Sequence, residues 1–273
     1  MDRRAVKRRI FIWLAVLAVL GAYIWWGNAA IKVTQINLTA PGLPEKFSGY
    51  RIAHVSDLHN EEFGKDNGRL LKKLADCQPD VIFLTGDMID SYHTNVEVSI
   101  SFVRQVVHLA PTYFVTGNHE HLVMEEYEKL RAAMEACGVQ VLENELTTLE
   151  RGGAEISLIG LHDPSFTSVQ EQLAVLVPQA EGFTILLAHH PELVGYYAGA
   201  GVDLVFSGHA HGGQFRFPIL GGLIAPGQGL FPEYDAGLYQ VQSSQMIVSR
   251  GLGNSAFPFR LNNRPEVVLT ILH

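Results

Sequence analysis

The chain has 273 residues, 47% of them hydrophobic and 18% charged, with a formal net charge of −8. That length suits one sizeable domain plus a tail, and the lack of polar repetitive tracts or solenoid-spaced repeats excludes a disordered or repeat protein. Five of the 20 basic residues but one of the 28 acidic ones fall within residues 1–9, so the rest is strongly acidic and lacks the basic stripe that nucleic-acid binding requires.

The chain opens on a basic segment, residues 1–9, carrying Arg3, Arg4, Lys7, Arg8 and Arg9. Residues 10–27, IFIWLAVLAVLGAYIWWG, hold no charge and match the roughly 17–25 residues of a bilayer-spanning helix. Trp25 and Trp26 stand where an indole can bridge the apolar layer and the headgroups, and the positive-inside rule keeps residues 1–9 cytoplasmic. A single-pass cell-membrane protein is expected, anchored through residues 10–27, with its body outside the cytoplasm. A cleavable signal peptide is the rival reading, but the run exceeds the usual apolar core of about 7–15 residues. Arg8-Arg9-Ile10-Phe11-Ile12 also resembles a twin-arginine export signal, with Lys7 in place of the usual hydroxyl residue.

Residues 28–48 read as a linker with a first strand, Ile31–Leu38, closed by Pro41-Gly42-Leu43-Pro44. The main domain is then 49–273. Arg51–Ser56, Val81–Thr85, Thr112–Thr116, Thr184–Ala188 and Leu204–Ser207 are strand candidates. Helices are expected at the stripes Leu70, Leu71, Leu74 and Val96, Ile100, Val103, Val107, and over Met124–Cys137, which Gly138 ends. Alternating strands and helices imply an α/β domain with parallel pairing, whose ligands bind at the carboxyl ends of the strands. Gly237–Gln242, Gln245–Ser249 and Glu266–Leu272 have no helices between them and are expected to complete a second, antiparallel sheet. Cys77 and Cys137 are too few for a disulfide framework, and buried free thiols are expected.

The residues after five of these strands share one chemistry. They are Asp57 and His59; Gly86, Asp87 and Asp90; Gly117, Asn118, His119 and Glu120; His189; and Gly208, His209 and His211. Any one set could merely open a turn, but together they make a donor set for two divalent cations. One carboxylate must bridge the ions, imidazoles fix geometry without adding charge, and an amide oxygen completes a shell. Two such ions can polarise a phosphoryl oxygen and turn a shared water into hydroxide near neutral pH.

The ordered series Asp57-x-His59, Gly86-Asp87-x-x-Asp90, Gly117-Asn118-His119-Glu120, His189 and Gly208-His209-x-His211 resembles the calcineurin-like metallophosphoesterases. His211-Gly212-Gly213-Gln214 and Ser249-Arg250-Gly251-Leu252-Gly253 look like the membrane-anchored bacterial branch, some of whose relatives are UDP-2,3-diacylglucosamine pyrophosphohydrolases. The resemblance implies a four-layer αββα sandwich. It implies that Asp57, His59, Asp87 and His211 bind one ion and that Asp87, Asn118, His189 and His209 bind the other. It further implies that His119 assists the leaving oxygen and that Asp90 and Glu120 orient ligands. The cofactor would be two ions of manganese, iron or zinc, since Asp, His and Asn accept each of these. The substrate would be a phosphorylated small molecule or lipid, cleaved at a phosphodiester or pyrophosphate bond by metal-activated hydroxide.

Arg250 and Arg260 are candidates to meet a substrate phosphate. His54 reads as packed core, and His162-Asp163, after the apolar run Glu155–Gly160, stands where relatives often carry two acidic residues. Phe215, Phe217, Phe231, Phe257 and Phe259 are expected in an ordinary second-sheet core, with a lipid-accommodating wall as the other reading. A catalytically silent binding module on the same fold is the main rival, yet none of its metal ligands would be missing. A β-lactamase-like or serine hydrolase lacks support, because His-x-His-x-Asp-His and Gly-x-Ser-x-Gly are absent.

Overall fold

A computed structural model describes residues 3–273; the first two residues of the expected basic segment lie outside them. The N-terminal helix α1 spans Arg3–Ala29, longer than residues 10–27 because the basic residues continue the same turn geometry. Its segment Val6–Ala29 is long and apolar enough to cross a membrane, and its most apolar 18-residue stretch is not buried against the body.

The first half of the body runs β1 (Lys32–Leu38), β2 (Arg51–Val55), α2 (Gly68–Asp76), β3 (Val81–Thr85), α3 (Val96–Val106) and β4 (Thr112–Val115), then α4 (Asn118–Leu122), α5 (Met124–Cys137) and β5 (Gln140–Val141). The second half runs β6 (Glu145–Arg151), β7 (Ala154–Gly160), α6 (Val169–Leu176), β8 (Thr184–Leu187), α7 (Val194–Gly199) and β9 (Leu204–Ser207). Two small hairpins follow, β10 (Arg216–Phe217) with β11 (Gly221–Gly222) and β12 (Ile224–Ala225) with β13 (Gly229–Leu230). The chain closes with β14 (Gly237–Val241), β15 (Ser244–Val248) and β16 (Glu266–Leu272).

These strands form two six-stranded sheets, ordered β1-β16-β2-β3-β4-β5 and β14-β15-β9-β8-β7-β6. Side-chain alternation divides the core into three layers. From β2 and β3, Ile52, Val81 and Phe83 meet Ile185, Leu187, Leu204 and Phe206 of β8 and β9 between the sheets. Ala53, Val55, Ile82 and Leu84 face outward under α2, α3 and α5. Leu186 and Val205 face outward on the other side, under α6 and α7. A strand buried on both faces needs an unbroken apolar run, and that is how these strands read. The outcome is the expected helix, sheet, sheet, helix layering.

Two expectations fail. Glu266–Leu272 does not join the second sheet: β16 enters the first, parallel to β1 and antiparallel to β2. All seven of its residues are buried, a pattern that fits an interior position and not an edge. Within the second sheet, β15 is antiparallel to β14 but parallel to β9. The late phenylalanines are not sheet core either. Phe217, Phe231, Phe257 and Phe259 are exposed, because their loops and two-residue strands are too short to bury both faces. Cys77 and Cys137 are free thiols, the first buried and the second half-buried.

The carboxyl end of α1 is tied to the segment between β15 and β16. Tyr23 donates its hydroxyl hydrogen to Asn262. Asn28 Oδ1 accepts from Arg260 N at 2.7 Å, and Asn28 Nδ2 donates to Arg260 O at 3.0 Å. The Arg264 guanidinium lies 4.8 Å over the Trp26 ring and donates to Ala30 O at 2.8 Å.

Candidate metal centre

The site residues come from the carboxyl ends of β2, β3, β4, β8 and β9, where the two sheets abut. Leaving these strands demands an abrupt turn. Asp57, His59, Asp87, His209 and His211 all take it in the left-handed region, with φ between 47° and 62°. Such φ values are uncommon outside glycine, although Asp and His tolerate them better than most residues. Each costs of order 1–3 kcal/mol unless its surroundings hold it.

The surroundings do hold it. His209 N donates to Asp57 Oδ1 at 3.0 Å, and His119 N donates to Asp87 Oδ1 at 2.9 Å. Glu120 accepts four backbone N–H groups: Asp87 and Gly117 on Oε2, Met88 and Ile89 on Oε1, at 2.7–3.2 Å. Burial and the Asp87 charge push its pKa up to about 7, against the pull of those donors. Two glycines make room. A Cβ on Gly208 would stand 1.8 Å from Ser56 Oγ and 2.4 Å from Asp57 Oδ2. Gly86 has φ +85°, and a Cβ there would meet Gly117 N at 2.6 Å.

The side chains converge on two groups sharing Asp87. One ligand atom each from Asp57, His59, Asp87 and His211 lie within 4.8 Å of one another, as do those of Asp87, His189 and His209. In the first group, His59 Nε2 is 3.2 Å from His211 Nε2 and 3.6 Å from Asp87 Oδ2, and His211 Nε2 is 3.4 Å from Asp57 Oδ1. In the second, His189 Nε2 is 3.1 Å from Asp87 Oδ2 and 3.2 Å from His209 Nδ1. Donors about 2.0–2.2 Å from one ion stand roughly 3.0–3.5 Å apart, so these spacings suit a cation in each group.

Three further observations test that fit. Asn118 Oδ1 is buried and has no hydrogen-bond partner. His189 Nδ1 lies 2.7 Å from Thr85 O, which makes it the protonated nitrogen and leaves Nε2 free to ligate. Burial opposes a charge on His189, yet the Asp87 carboxylate lifts its pKa well above the usual value. The buried carboxylates thus draw positive charge to the spot a cation would take. Burial first, then neighbouring cationic groups, hold His209 and His211 well below the ordinary range, neutral as ligands must be. The residues present fit two divalent ions.

His119 stands at the edge of this cluster, its ring 4.6 Å from that of His59. Its Nδ1 accepts from Ser91 N at 3.0 Å. A backbone amide can only donate, so Nδ1 carries no proton and Nε2 does. Burial lowers the pKa of this ring, consistent with a neutral imidazole. Nε2 lies 3.3 Å from Ser255 Oγ, and His119 and Ser255 both line a cavity of about 440 Å³ shared with Tyr92, Ile224, Pro226 and Phe257 and with Asp87, Asn118, His209 and His211. Asp90 Oδ1 sits 3.7 Å from His59 Nδ1 and 3.4 Å from His119 Nδ1. Burial raises the Asp90 pKa, but the His59 ring outweighs it and holds Asp90 at about 2.

Arg250 and Arg260 are placed elsewhere. Both border a separate cleft at the foot of α1, with Tyr23 and Trp26. Arg260 is fully buried, donates to the carbonyls of Arg250 and Gly253, and puts Nη2 3.3 Å from His211 Nδ1. Buried behind the His211 ring and absent from the lining of the cavity, this guanidinium is not placed to meet a phosphate there. Arg250 pairs with Glu266 at 3.6 Å. His54 is packed core: it lies 2.7 Å from Thr85 Oγ1, edge-on to Phe206.

Sequence reasoning missed one array. His190 bridges Asp163 Oδ2 at 2.7 Å and Glu192 Oε1 at 2.9 Å, and Glu192 lies 3.8 Å from His209 Nε2. Asp163 is buried, and its N–H donates to Thr116 Oγ1. Asp163 following an apolar strand, and Glu192 two positions past His190, were the available signals.

A family profile described as calcineurin-like phosphoesterase matches residues 50–213. The chain is 30% identical over 254 residues to the uncharacterized metallophosphoesterase YkuE of Bacillus subtilis, covering 89% of this chain and 85% of that one. It is 28% identical over 229 residues to the phosphodiesterase YaeI of Escherichia coli, covering 81% of each. It is 29% identical over 276 residues to a transmembrane protein with metallophosphoesterase domain of Danio rerio, covering 94% of this chain and 60% of that one.

Proposed function

Because this chain belongs to the calcineurin-like phosphoesterase family, we propose that it is a dinuclear-metal phosphodiesterase held at a membrane by its N-terminal helix. The observation that carries the reading is the pair of buried ligand groups meeting at Asp87. Asp57, His59, Asp87 and His211 would hold one divalent ion, and Asp87, Asn118, His189 and His209 the other. Bound there, two such ions would polarise a phosphoryl oxygen and lower the pKa of water. YaeI, a phosphodiesterase by name, favours a diester over the pyrophosphate of a UDP-diacylglucosamine-like compound.

The chain's own residues do the rest. The cavity admits the phosphate from one side, and its apolar wall, Ile224, Pro226 and Phe257, accepts an organic substituent. His119 presents Nε2–H to the departing oxygen and stabilises its growing charge by hydrogen bonding, while the Ser91 N–H and hydroxyl donate to Nδ1 and fix the ring. A positioned group of this kind contributes roughly 10²–10⁴-fold. Glu120 sets the Asp87 loop, and Asp90 orients the His59 ring.

The test compares His119→Ala with Asp87→Asn for metal content and for hydrolysis of bis-p-nitrophenyl phosphate. His119→Ala should keep its metal and lose about 10²–10⁴ in kcat. Asp87→Asn should lose metal and turnover together. Wild-type protein that loads metal and cleaves neither diester nor pyrophosphate would instead establish the silent binding module.

A further inference from the structure

The outer side of the loops that wall the cavity is apolar and unpartnered. Phe217, Ile219, Leu220, Phe231, Phe257 and Phe259 are all exposed, Ile219 completely. They form one rim and not scattered residues. Arg216 N donates to Leu261 O at 2.9 Å, tying the first hairpin to the 257–261 segment, and Phe231 N donates to Leu223 O at 2.8 Å, tying the end of the second hairpin to the first. The Phe215 ring packs between them, 5.6 Å from Phe257 and 5.4 Å from Phe259. Contiguous apolar surface of this extent marks an interaction site in a folded protein.

The same loops hold α1. Tyr23 bonds to Asn262, whose Nδ2 donates to Arg216 O at 3.2 Å, one residue before Phe217. Asn28 bonds to Arg260, the neighbour of Phe259. The end of the apolar helix, with its exposed Trp25 and Trp26, is therefore fixed beside the rim. Lys32 and Arg264 border the cleft at the foot of the helix and Arg69 donates to Ala29 O, within a body of negative net charge.

We propose that the rim formed by residues 217–220, 231 and 257–259 seats in the surface layer of the bilayer that α1 enters, so that the cavity opens towards the lipid headgroups. Three features specify lipid as the occupant. The helix bound to these loops is itself apolar on every side and unburied. Aromatic and branched side chains beside a cationic collar are the composition of surfaces that enter an interface. Finally, the inner side of the same loops lines the cavity through Ile224 and Phe257. The inference rests on α1 as a membrane anchor and is independent of the hydrolase reading.

The test uses the full chain reconstituted in phosphatidylcholine–phosphatidylglycerol vesicles, with Cys137→Ala to leave buried Cys77 as the remaining native thiol. An environment-sensitive fluorophore is attached at Ile219→Cys and, separately, at Leu238→Cys on β14, an exposed position away from the rim. The probe at 219 should shift to the blue and lose most of its emission to nitroxide-headgroup lipids, while the probe at 238 does neither. Leu220→Cys serves in place of Ile219→Cys if the latter does not fold. A rim probe that reports water, like that at 238, overturns the proposal. So does a blue-shifted probe that lipid nitroxides cannot quench, since a protein would then cover the rim.

Discussion

Glu120 is fully buried and lies outside the lining of the cavity, yet it holds the loops of this centre in place. Its two oxygens take four N–H groups from the loops that carry Asp87 and Asn118. Glu120→Gln keeps the shape but turns one acceptor into a donor facing two of those N–H groups. A hydrogen bond to a charged group is worth about 1.5–3 kcal/mol, so a loss of roughly 2–4 kcal/mol is expected, together with weaker metal retention. Thermal unfolding and metal analysis of the detergent-solubilised chain would check both; unchanged stability would mean that the clamp does not matter. Arg260 teaches the complementary lesson at this scale. Its charge looked available for a phosphate, but it is buried against the Arg250 and Gly253 carbonyls and the back of the His211 ring, away from the cavity.

The elements matter less for their lengths than for how they end. Each of β2, β3 and β9 runs into a left-handed turn that swings an Asp or His back over the strand. The turns interlock because neighbouring loops lend one another space, most tightly at Gly208. Gly208→Ala must displace Ser56 Oγ or Asp57 Oδ2, and overpacking of this kind costs about 1–3 kcal/mol. The variant should lose metal affinity before it loses its fold, and Ser56→Ala in the same chain should restore part of it. A metal titration of both variants decides; full affinity in Gly208→Ala alone would show that the loops have slack. The strands themselves were legible, since Val81–Thr85 and Leu204–Ser207 appear with the expected ends. Their polar successors were legible too, because each stands just after a largely apolar run. The array of Asp163, His190 and Glu192 was not, because its members come from different strand ends and carry no shared spacing.

For the molecule as a whole, the two buried groups leave Asp57 and Asp87 short of positive charge, so cations should stabilise the folded state and not the unfolded one. At an ion concentration about 1,000 times Kd, linkage supplies roughly 4 kcal/mol. For a domain of this size that amounts to a rise in Tm of about 8–16 °C. Chelation should therefore lower Tm by that amount and manganese or zinc should restore it; a Tm indifferent to chelator would rule out resident ions. What the sequence determined by itself was local and periodic: an uncharged N-terminal helix, strands apolar on both faces, and a donor residue at each strand end. These follow from hydrophobic patterning and from the chemistry that each side chain carries wherever it sits. Only the tertiary structure decided what needs two distant segments at once. It put β16 inside the first sheet, brought both ligand groups together at Asp87, turned Arg260 inward, and exposed the phenylalanines beside the foot of α1. Pairing, sharing and exposure are relations between parts of a chain far apart in sequence, and no local pattern encodes them.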